Sequence, residues 1–384
     1  MNPSSRIPVR IAVITNSAWN VVNFRLGLLD ELRAQGHKPV AVAIPDASVD
    51  KLLATGHEFL PLALQPAGTQ PLRELATVLS LRRLLARGNF DIAFTYTPKV
   101  NIYVGLARKG TSLRHVPNVS GLGRVFASRS ALAPLVMQLY RRAFQAADTV
   151  VFQNEEDRAM FTARGIVEAS RTVRVPGSGV DLTRFAQRPP RPDDGRTIFL
   201  FVGRVLRDKG AVEYVDAARD IRRTHPNAVF RMLGITDSDN PAAIPPEQVR
   251  AWDDEGAIEY LGSTDDVRPA LANSDCVVLP SYREGLPRSL LEAAAMGKPC
   301  ITTDAPGCRD AVVDGETGLI CRVRDSASLA GAFAQFLAME PATQRSLGER
   351  GRARVEREFD ERIVLRTYVD VATRIAASQA HRRD

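Results

Sequence analysis

"SYREGLPRSLLEAAAMGKPCI", residues 281–301, follows the apolar run "CVVLP" and carries two glutamates, Glu284 and Glu292, with seven residues between them. "CVVLPS" has the composition of a strand and "YREGL" that of a loop. Pro287 suits the first position of a helix that runs through Met296 and ends at Gly297. A helix opening at the carboxyl end of a strand presents free amides and a positive dipole end, and both favour a phosphate. "FVGRVLRDKG", residues 201–210, also leaves a strand: Arg204 and Lys209 follow the bend at Gly203 and can balance an anionic leaving group. Two positive devices then converge on one ligand.

A carboxylate repels a phosphate bound beside it, so both glutamates are better placed to accept hydroxyl hydrogen bonds on either side of the phosphates. Glu292 lies about five residues into the helix, roughly 7.5 Å along its axis. Sugar, diphosphate and ribose stand in that order in a nucleotide sugar, so Glu284 would meet the transferred sugar and Glu292 the ribose. Taken singly, each residue also fits a solvated surface. Their joint arrangement favours the ligand.

Outward from this stretch, the chain alternates short β-branched runs with longer helical patterns, the signature of α/β parallel sheets with helices on both faces. In the first half Val9–Thr15, Val40–Ile44, Asp91–Tyr96, His115–Val119 and Thr149–Phe152 read as strands. The pattern restarts at Thr197–Val202 and continues through Ala228–Leu233, Ile258–Leu261, Cys276–Leu279 and Cys300–Thr303. The proline-dense "QRPPRPDDGR", 187–196, reads as a linker. The expected division is therefore 1–188, 189–360 and a final helical segment, 361–384, that can pack back on the first domain. Two doubly wound Rossmann-like domains facing one another would gather the carboxyl ends of both sheets around one cleft.

A length of 384 residues with 45% hydrophobic and 25% charged residues describes a soluble protein of about two domains. No run approaches the ~18 apolar residues of a membrane span, and "IAVI" at 11–14 lacks a signal peptide's length and cleavage site, so the expected location is the cytoplasm. Cys276, Cys300, Cys308 and Cys321 form no C-x-x-C pair and read as reduced buried thiols. Residues 1–190 carry 24 Lys+Arg against 13 Asp+Glu, whereas 191–384 carry 27 against 31. Such an imbalance suits a phosphate-bearing partner or an anionic membrane face as well as it suits a solvated arginine-rich surface. Residues 128–148 add an amphipathic pattern, with Leu132, Leu135, Val136, Leu139 and Phe144 near Arg129, Arg141 and Arg142. It fits peripheral contact with the inner membrane surface, or simply a core-facing helix. Nucleic acid is a weak candidate, since no stacked-aromatic or recognition-helix pattern accompanies the charge.

"EGLPRSLLEAAAMGKPCI" resembles the signature of glycosyltransferase family 4, "FVGRVLRDKG" its phosphate-binding segment, and "PGSGVDLTRF" (176–185) its strand end before the interdomain linker. In the first half "VNFRLGLLDEL" (22–32), "YTPKVNIYVGLA" (96–107) and "VPNVSGLGRVF" (116–126) are similar to the branch acting on undecaprenyl-diphosphate-linked sugars in bacterial glycan assembly. The resemblance implies a GT-B fold, a nucleotide-sugar donor with uridine as its base, and retention of anomeric configuration. It implies that Arg204 and Lys209 contact the diphosphate, Glu284 the donor sugar and Glu292 the ribose. Gly203 and the segment Gly285, Leu286, Pro287 and Arg288 would complete the donor site. Where many members carry a glycine pair after the first strand this chain has "TNSAWN" (15–20), so the donor contact there would fall to Asn16. Lys99, His115, Gly121 and Gly123 are the candidates for the acceptor side of the cleft.

Retaining transfer without a covalent intermediate lets a donor phosphate oxygen take the acceptor's proton, so positioning and charge stabilisation are what the protein supplies. No metal or other cofactor is expected: Arg204, Lys209 and the helix amides take that role, and "DSD" (237–239) reads as a solvated turn. The expected function is a hexosyl or N-acetylhexosaminyl transferase using a UDP-sugar and a lipid-linked glycan acceptor. An inverting GT-B transferase, an epimerase and a non-catalytic nucleotide-sugar sensor are the alternatives.

Overall fold

The computed structural model describes residues 8–64, 71–121, 133–189, 191–192, 194–236 and 240–380. Two wholly parallel sheets organise the chain. The first contains β1 (Arg10–Ile14), β2 (Lys38–Ala43), β3 (Glu58–Pro61), β4 (Ile92–Tyr96), β5 (Arg114–Val119), β6 (Val150–Phe152) and β7 (Thr172–Arg174). Their order is β3-β2-β1-β4-β5-β6-β7. The second contains β8 (Thr197–Val202), β9 (Ala228–Leu233), β10 (Glu259–Tyr260), β11 (Cys276–Leu279), β12 (Cys300–Thr303) and β13 (Gly318–Cys321), in the order β10-β9-β8-β11-β12-β13. Strands such as "IAFTY" and "TIFLFV" are apolar nearly throughout because helices cover both faces of a parallel sheet. In each sheet the order reverses beside the first strand, between β1 and β4 (Ile11 opposite Ile92) and between β8 and β11 (Phe199 opposite Cys276). Helices leave the two neighbours on opposite sides there, which opens a crevice at the carboxyl ends.

The division into compact units falls at Gly179 rather than in the proline-rich stretch. One unit holds the residues up to Ser178 together with those from Arg362 on, and the other holds Gly179–Glu361. Val180 and Phe185 already belong to the second core, and Arg191 is tied into it through Asp275 at 3.0 Å. The outgoing and returning chain run side by side: Val180 N–H donates to Phe359 O (2.9 Å) and Glu361 N–H to Val180 O (3.1 Å). Gly179 has φ +72°, and a Cβ there would stand 2.3 Å from Glu361 Cα, so only glycine fits the crossing.

The helix Glu361–Ala380 packs Val364, Tyr368, Val371 and Ile375 into one core with Ile11, Val13, Phe94 and Val116. Tyr368 lies edge-on to Phe94 with centroids 5.2 Å apart, and its hydroxyl accepts from Asn118 Nδ2. In the second unit Phe199, Phe230 and Phe333 form an aromatic centre, with Phe199 and Phe333 4.7 Å apart. The Tyr214 hydroxyl donates to Phe199 O and lies as close to Arg231 O, both at 3.0 Å, which ties the helix Ala211–Arg222 to β8 and β9. No helix of the described residues is long and apolar enough to cross a membrane. The four cysteines are free and buried, and burial pushes the Cys300 and Cys308 thiols up to about 12.

Tyr368→Ala empties a fully buried aromatic site, and about 3–5 kcal/mol of the first unit's stability is expected to be lost. Urea unfolding should show a lower midpoint with an unchanged slope.

Candidate active site

In the second unit the crevice between β8 and β11 is built from three loops held together by close backbone approach. After β8, Gly203 lies against the end of β9: a Cβ at Gly234 would stand 1.7 Å from Gly203 O. The chain then makes one tight turn, Arg207–Lys209, and Gly210 takes φ +73° against Pro280 O before the helix Ala211–Arg222 begins. After β11, the loop from Ser281 is held on one side by Tyr282 N–H donating to Asp208 O (2.9 Å). On the other, Glu284 N–H donates to Pro306 O (3.0 Å). After β12, Gly307 has φ +79°, and a Cβ there would meet Glu284 O at 2.5 Å and Gly285 O at 2.7 Å. Neither a side chain at Gly210 nor one at Gly307 is compatible with this stack of loops.

That packing brings Lys209 and Glu284 together across the crevice. The Lys209 ammonium contacts Glu284 Oε1, and Ser281 Oγ donates to the same oxygen at 2.7 Å. Ser281 is itself positioned by Thr303 Oγ1, which donates to Ser281 O at 2.5 Å. Both partners of the ion pair are largely withdrawn from solvent, with side chains 20% and 13% exposed, so water screens their attraction less than at an open surface. A second carboxylate sits behind the first: the Tyr282 hydroxyl donates to Glu213 Oε1 (2.6 Å), and Arg324 stacks 4.5 Å above the Tyr282 ring. This arrangement pushes the Tyr282 phenol up, through burial first and the Glu213 carboxylate second. It fixes the loop that carries Glu284.

Pro287 occupies the cap position, and the helix runs Arg288–Ala295, one residue later at its start and one shorter at its end than its sequence suggests. Glu292 is its fifth residue, one turn after Arg288, whose Nε lies 2.6 Å from Glu292 Oε1. Burial raises the Glu292 pKa against the opposing pull of Arg288, so the carboxylate is ionised at a cost in stability. Arg204 is exposed at the end of β8, while Gly285 and Pro287 are buried. Among the described residues no cluster of acids, histidines and cysteines is suited to hold a metal, and residues 237–239 lie outside them.

The second unit thus brings Lys209, Glu284 and the helix opening to one crevice, and gives Glu284 and Glu292 a cation each. Lys209 is engaged by a carboxylate in this structure, a pairing its spacing from Glu284 does not suggest. Tyr282 is a residue the sequence suggests for tuning the donor; Ser281, Glu213 and Arg324 are additions, and a serine two residues past a strand at the switch point is the one signal that could have flagged any of them.

The first-unit candidates fare differently. His115 is fully buried in β5. Its Nε2 lies 2.9 Å from Thr95 Oγ1, and burial, with Arg108 adding to it, drives its pKa down to about 3. The ring is therefore neutral near pH 7. Lys99, the second residue of the helix Pro98–Ala107 that follows β4, pairs with Glu74 at 2.8 Å. Burial works against the Glu74 charge, but hydrogen bonds from Lys99 and Tyr103 outweigh it and hold the carboxyl below its usual range. Asn16 stands half-buried beyond β1, and its Oδ1 is enclosed without a partner. Gly121 has φ +111°, and Gly123 lies outside the described residues. In the helix Ala133–Phe144 the apolar stripe mostly covers the core: Phe144 is buried, Val136 and Leu139 pack against the same cluster, and among the described stripe residues only Leu135 is exposed, Arg129 and Leu132 lying outside the described residues.

Two family models match the chain: the glycosyl transferase 4-like domain over residues 21–177 and glycosyl transferases group 1 over residues 183–354. The chain belongs to the family 4-type glycosyltransferases. The group 1 match contains Lys209, Glu284 and Glu292, so it covers the whole crevice described above. Among its relatives is the N,N'-diacetylbacillosaminyl-diphospho-undecaprenol alpha-1,3-N-acetylgalactosaminyltransferase of Campylobacter jejuni. It is 25% identical, over 96% of the transferase and 99% of that protein. The UDP-Gal:alpha-D-GlcNAc-diphosphoundecaprenol alpha-1,3-galactosyltransferase of Escherichia coli is 26% identical over 68% of the transferase and 70% of its own length. Sucrose-phosphate synthase from Thermosynechococcus elongatus superposes with a TM-score of 0.79 at 19% identity, over 96% of the transferase and 100% of that chain, which establishes the GT-B type of fold.

Because the folded-state pKa of Glu292 is raised, its ionisation costs stability that is recovered as pH falls toward the ordinary carboxylate value of 4.5. Glu292→Gln is therefore expected to raise Tm at pH 7.5 by a few degrees. That gain should shrink as pH falls toward 4.5 in thermal unfolding.

Proposed function

We propose that the transferase moves a hexose or N-acetylhexosamine from a UDP-sugar to an undecaprenyl-diphosphate-linked glycan. Transfer proceeds with retention of configuration and without a metal ion, in the assembly of a bacterial surface polysaccharide or glycan. The observation that carries this reading is the Lys209–Glu284 pair at the switch point of the second sheet. Beside it stands the helix whose first amides suit phosphate. The printed activities of the Campylobacter and Escherichia relatives support the lipid-linked acceptor, and the Escherichia enzyme's UDP-Gal supports the uridine donor.

In this reaction the acceptor hydroxyl attacks the anomeric carbon on the face from which the diphosphate leaves. The new carbon–oxygen bond forms as the bond to the diphosphate oxygen breaks, and the hydroxyl proton passes to that leaving oxygen. Glu284 accepts hydroxyls of the transferred sugar while Ser281 and Lys209 fix its carboxylate. The Lys209 ammonium, Arg204 and the amides at Gly285, Leu286 and Arg288 take up the charge that develops on the diphosphate. Pro287, which lacks an amide hydrogen, sets the turn. Glu292 holds the ribose hydroxyls, and Arg288 keeps it ionised against the cost of burial.

The basic first unit would hold the enzyme at the inner face of the plasma membrane. Leu75 and Leu79 are exposed on the helix Pro71–Gly88, as are Arg73, Arg83 and Arg87, and Leu135 is exposed on the helix Ala133–Phe144. Apolar residues beside arginines suit an anionic lipid surface, at about 1 kcal/mol for each well-placed cation.

With radiolabelled UDP-sugars and a lipid-diphosphate-linked acceptor, Glu284→Gln is expected to lower kcat about 10²-fold or more, and Arg204→Ala to lower it by a similar order. EDTA should leave turnover unchanged, and NMR of the product should show the donor's anomeric configuration. Wild-type turnover in both variants would sink the assigned roles, and an inverted product would sink the mechanism. Sedimentation with anionic vesicles should fall several-fold on Leu75→Asp/Leu79→Asp and on raising salt; binding unaffected by either would remove the membrane contact.

A further inference from the structure

Around the switch point of the first sheet lie buried polar atoms with no hydrogen-bond partner: Asn16 Oδ1, Asn20 Oδ1, Arg25 Nε, Thr97 Oγ1 and Asn118 Oδ1. They belong to segments at the carboxyl ends of β1, β4 and β5: Asn16 stands two residues past Ile14, Thr97 directly follows β4 and Asn118 is next to last in β5. Asn20 and Arg25 lie on and just after the helix Ala18–Phe24 that follows β1. Buried polar groups are satisfied almost everywhere in folded proteins, so a concentration of orphans at one sheet edge marks a place where a ligand's polar atoms belong. Thr97 adds strained backbone: it holds φ +72° and ψ 145°, a conformation that side chains other than glycine's rarely adopt.

Arg25 is the decisive member. It is 5% exposed, and its guanidinium carbon lies 3.8 Å from the centre of the Tyr96 ring. Among the described residues no carboxylate pairs with it. Stacking on a ring satisfies the flat face of a guanidinium and leaves the in-plane N–H groups unused, and that planar fork matches two oxygens of a phosphate. A buried cation with no counter-ion is costly, so its place in the fold calls for an anion. The platform behind it is stiff: Tyr368 packs beside Tyr96 and receives a hydrogen bond from Asn118, whose backbone oxygen accepts from Asn101 Nδ2 at 2.6 Å. Thr95 Oγ1 donates to Asn101 Oδ1 at 2.7 Å.

We propose that Arg25, stacked on Tyr96, is the oxyanion hook of a diphosphate subsite in the first unit, with Asn16, Thr97 and Asn118 taking neutral polar groups of the same ligand. This deepens the reading given under Proposed function and rests on it in one respect: both substrates of that reaction carry a diphosphate. The source of the anion is therefore the acceptor's diphosphate or the donor's.

The test titrates inorganic pyrophosphate by calorimetry into full-length enzyme saturated with UDP, for wild type, Arg25→Gln and Arg25→Lys. Wild-type binding that weakens at least 10-fold in Arg25→Gln and less in Arg25→Lys is expected, and assigns the subsite to the acceptor's diphosphate. A matching loss of UDP affinity in Arg25→Gln, with no pyrophosphate binding beside UDP, assigns the same subsite to the donor. Equal affinities for both probes in wild type and variants overturn the proposal. Thermal melts accompany each titration: removal of an unpaired buried cation should leave Tm at or above wild type, whereas a purely structural arginine would lower it. Should Arg25→Gln fail to fold, unchanged binding by Arg25→Lys, which lacks the fork, overturns the proposal on its own. The titration needs no sugar transfer, so a null result with every lipid-linked acceptor would count against the proposed function without touching the subsite.

Discussion

A parallel sheet covered by helices on both faces leaves its polar groups one place to go, the loops at the strands' carboxyl ends. Everything chemical in this transferase follows from that constraint. The central strands have almost no exposed surface, from "IAFTY" in the first unit to "CVVL" in the second. Where the strand order turns back on itself the loops diverge, and at that point the second unit sets Lys209 against Glu284. Neither residue is adjacent in the chain to the other, and neither touches the other through a strand. Topology alone brings them together.

What makes the crevice a site rather than a gap is the loss of side chains at its joints. Glycine at 210 and at 307 allows one loop's backbone to lie directly on another's carbonyl, and Gly234 does the same under Gly203. Loops braced in this way hold Glu284 from three sides: Ser281 and Lys209 at its carboxylate, Pro306 at its amide. Fixed dipoles and charges lose little by reorganising as the reaction proceeds, which is why such bracing favours transfer. Bulk at Gly210 or Gly307 would act through Glu284 without contacting a substrate.

The sequence makes the architecture legible because periodicity is a local property. Long apolar runs such as "TIFLFV" announce parallel strands, and Pro287 after a strand announces a helix opening. The short strands β3, β7 and β13 escape such a reading because "EFLP" and "TVR" are partly exposed and β13 opens on Gly318, placed there by close approach to Cys300 O. Lys209 and Glu284 are legible as neighbours of one crevice, since each stands in a loop that leaves the carboxyl end of a strand. Their pairings are not: Lys209 with Glu284 depends on which strands become neighbours, and a buried His115 held by Thr95 looks in sequence like any histidine at a strand start. The domain division shifts for a similar reason. Proline density marks stiffness, whereas the change of unit occurs where Gly179 passes Glu361 with no room for a side chain.

Buried charge separates the residues that hold the fold from those that wait for a ligand. Lys298 is nearly as buried as Arg25, yet its ammonium donates to Ala272 O at 2.9 Å and Ser274 O at 2.8 Å, and it stitches two loops of the second unit. Burial lowers its pKa, but carbonyl oxygens repay much of the lost hydration. Arg25 has an aromatic face and, among the described residues, no partner for its Nε, and Glu292 remains costly to ionise even with Arg288 beside it. Lys298 is explained by the fold that it completes. Arg25 and Glu292 carry charges whose burial the fold offsets only in part.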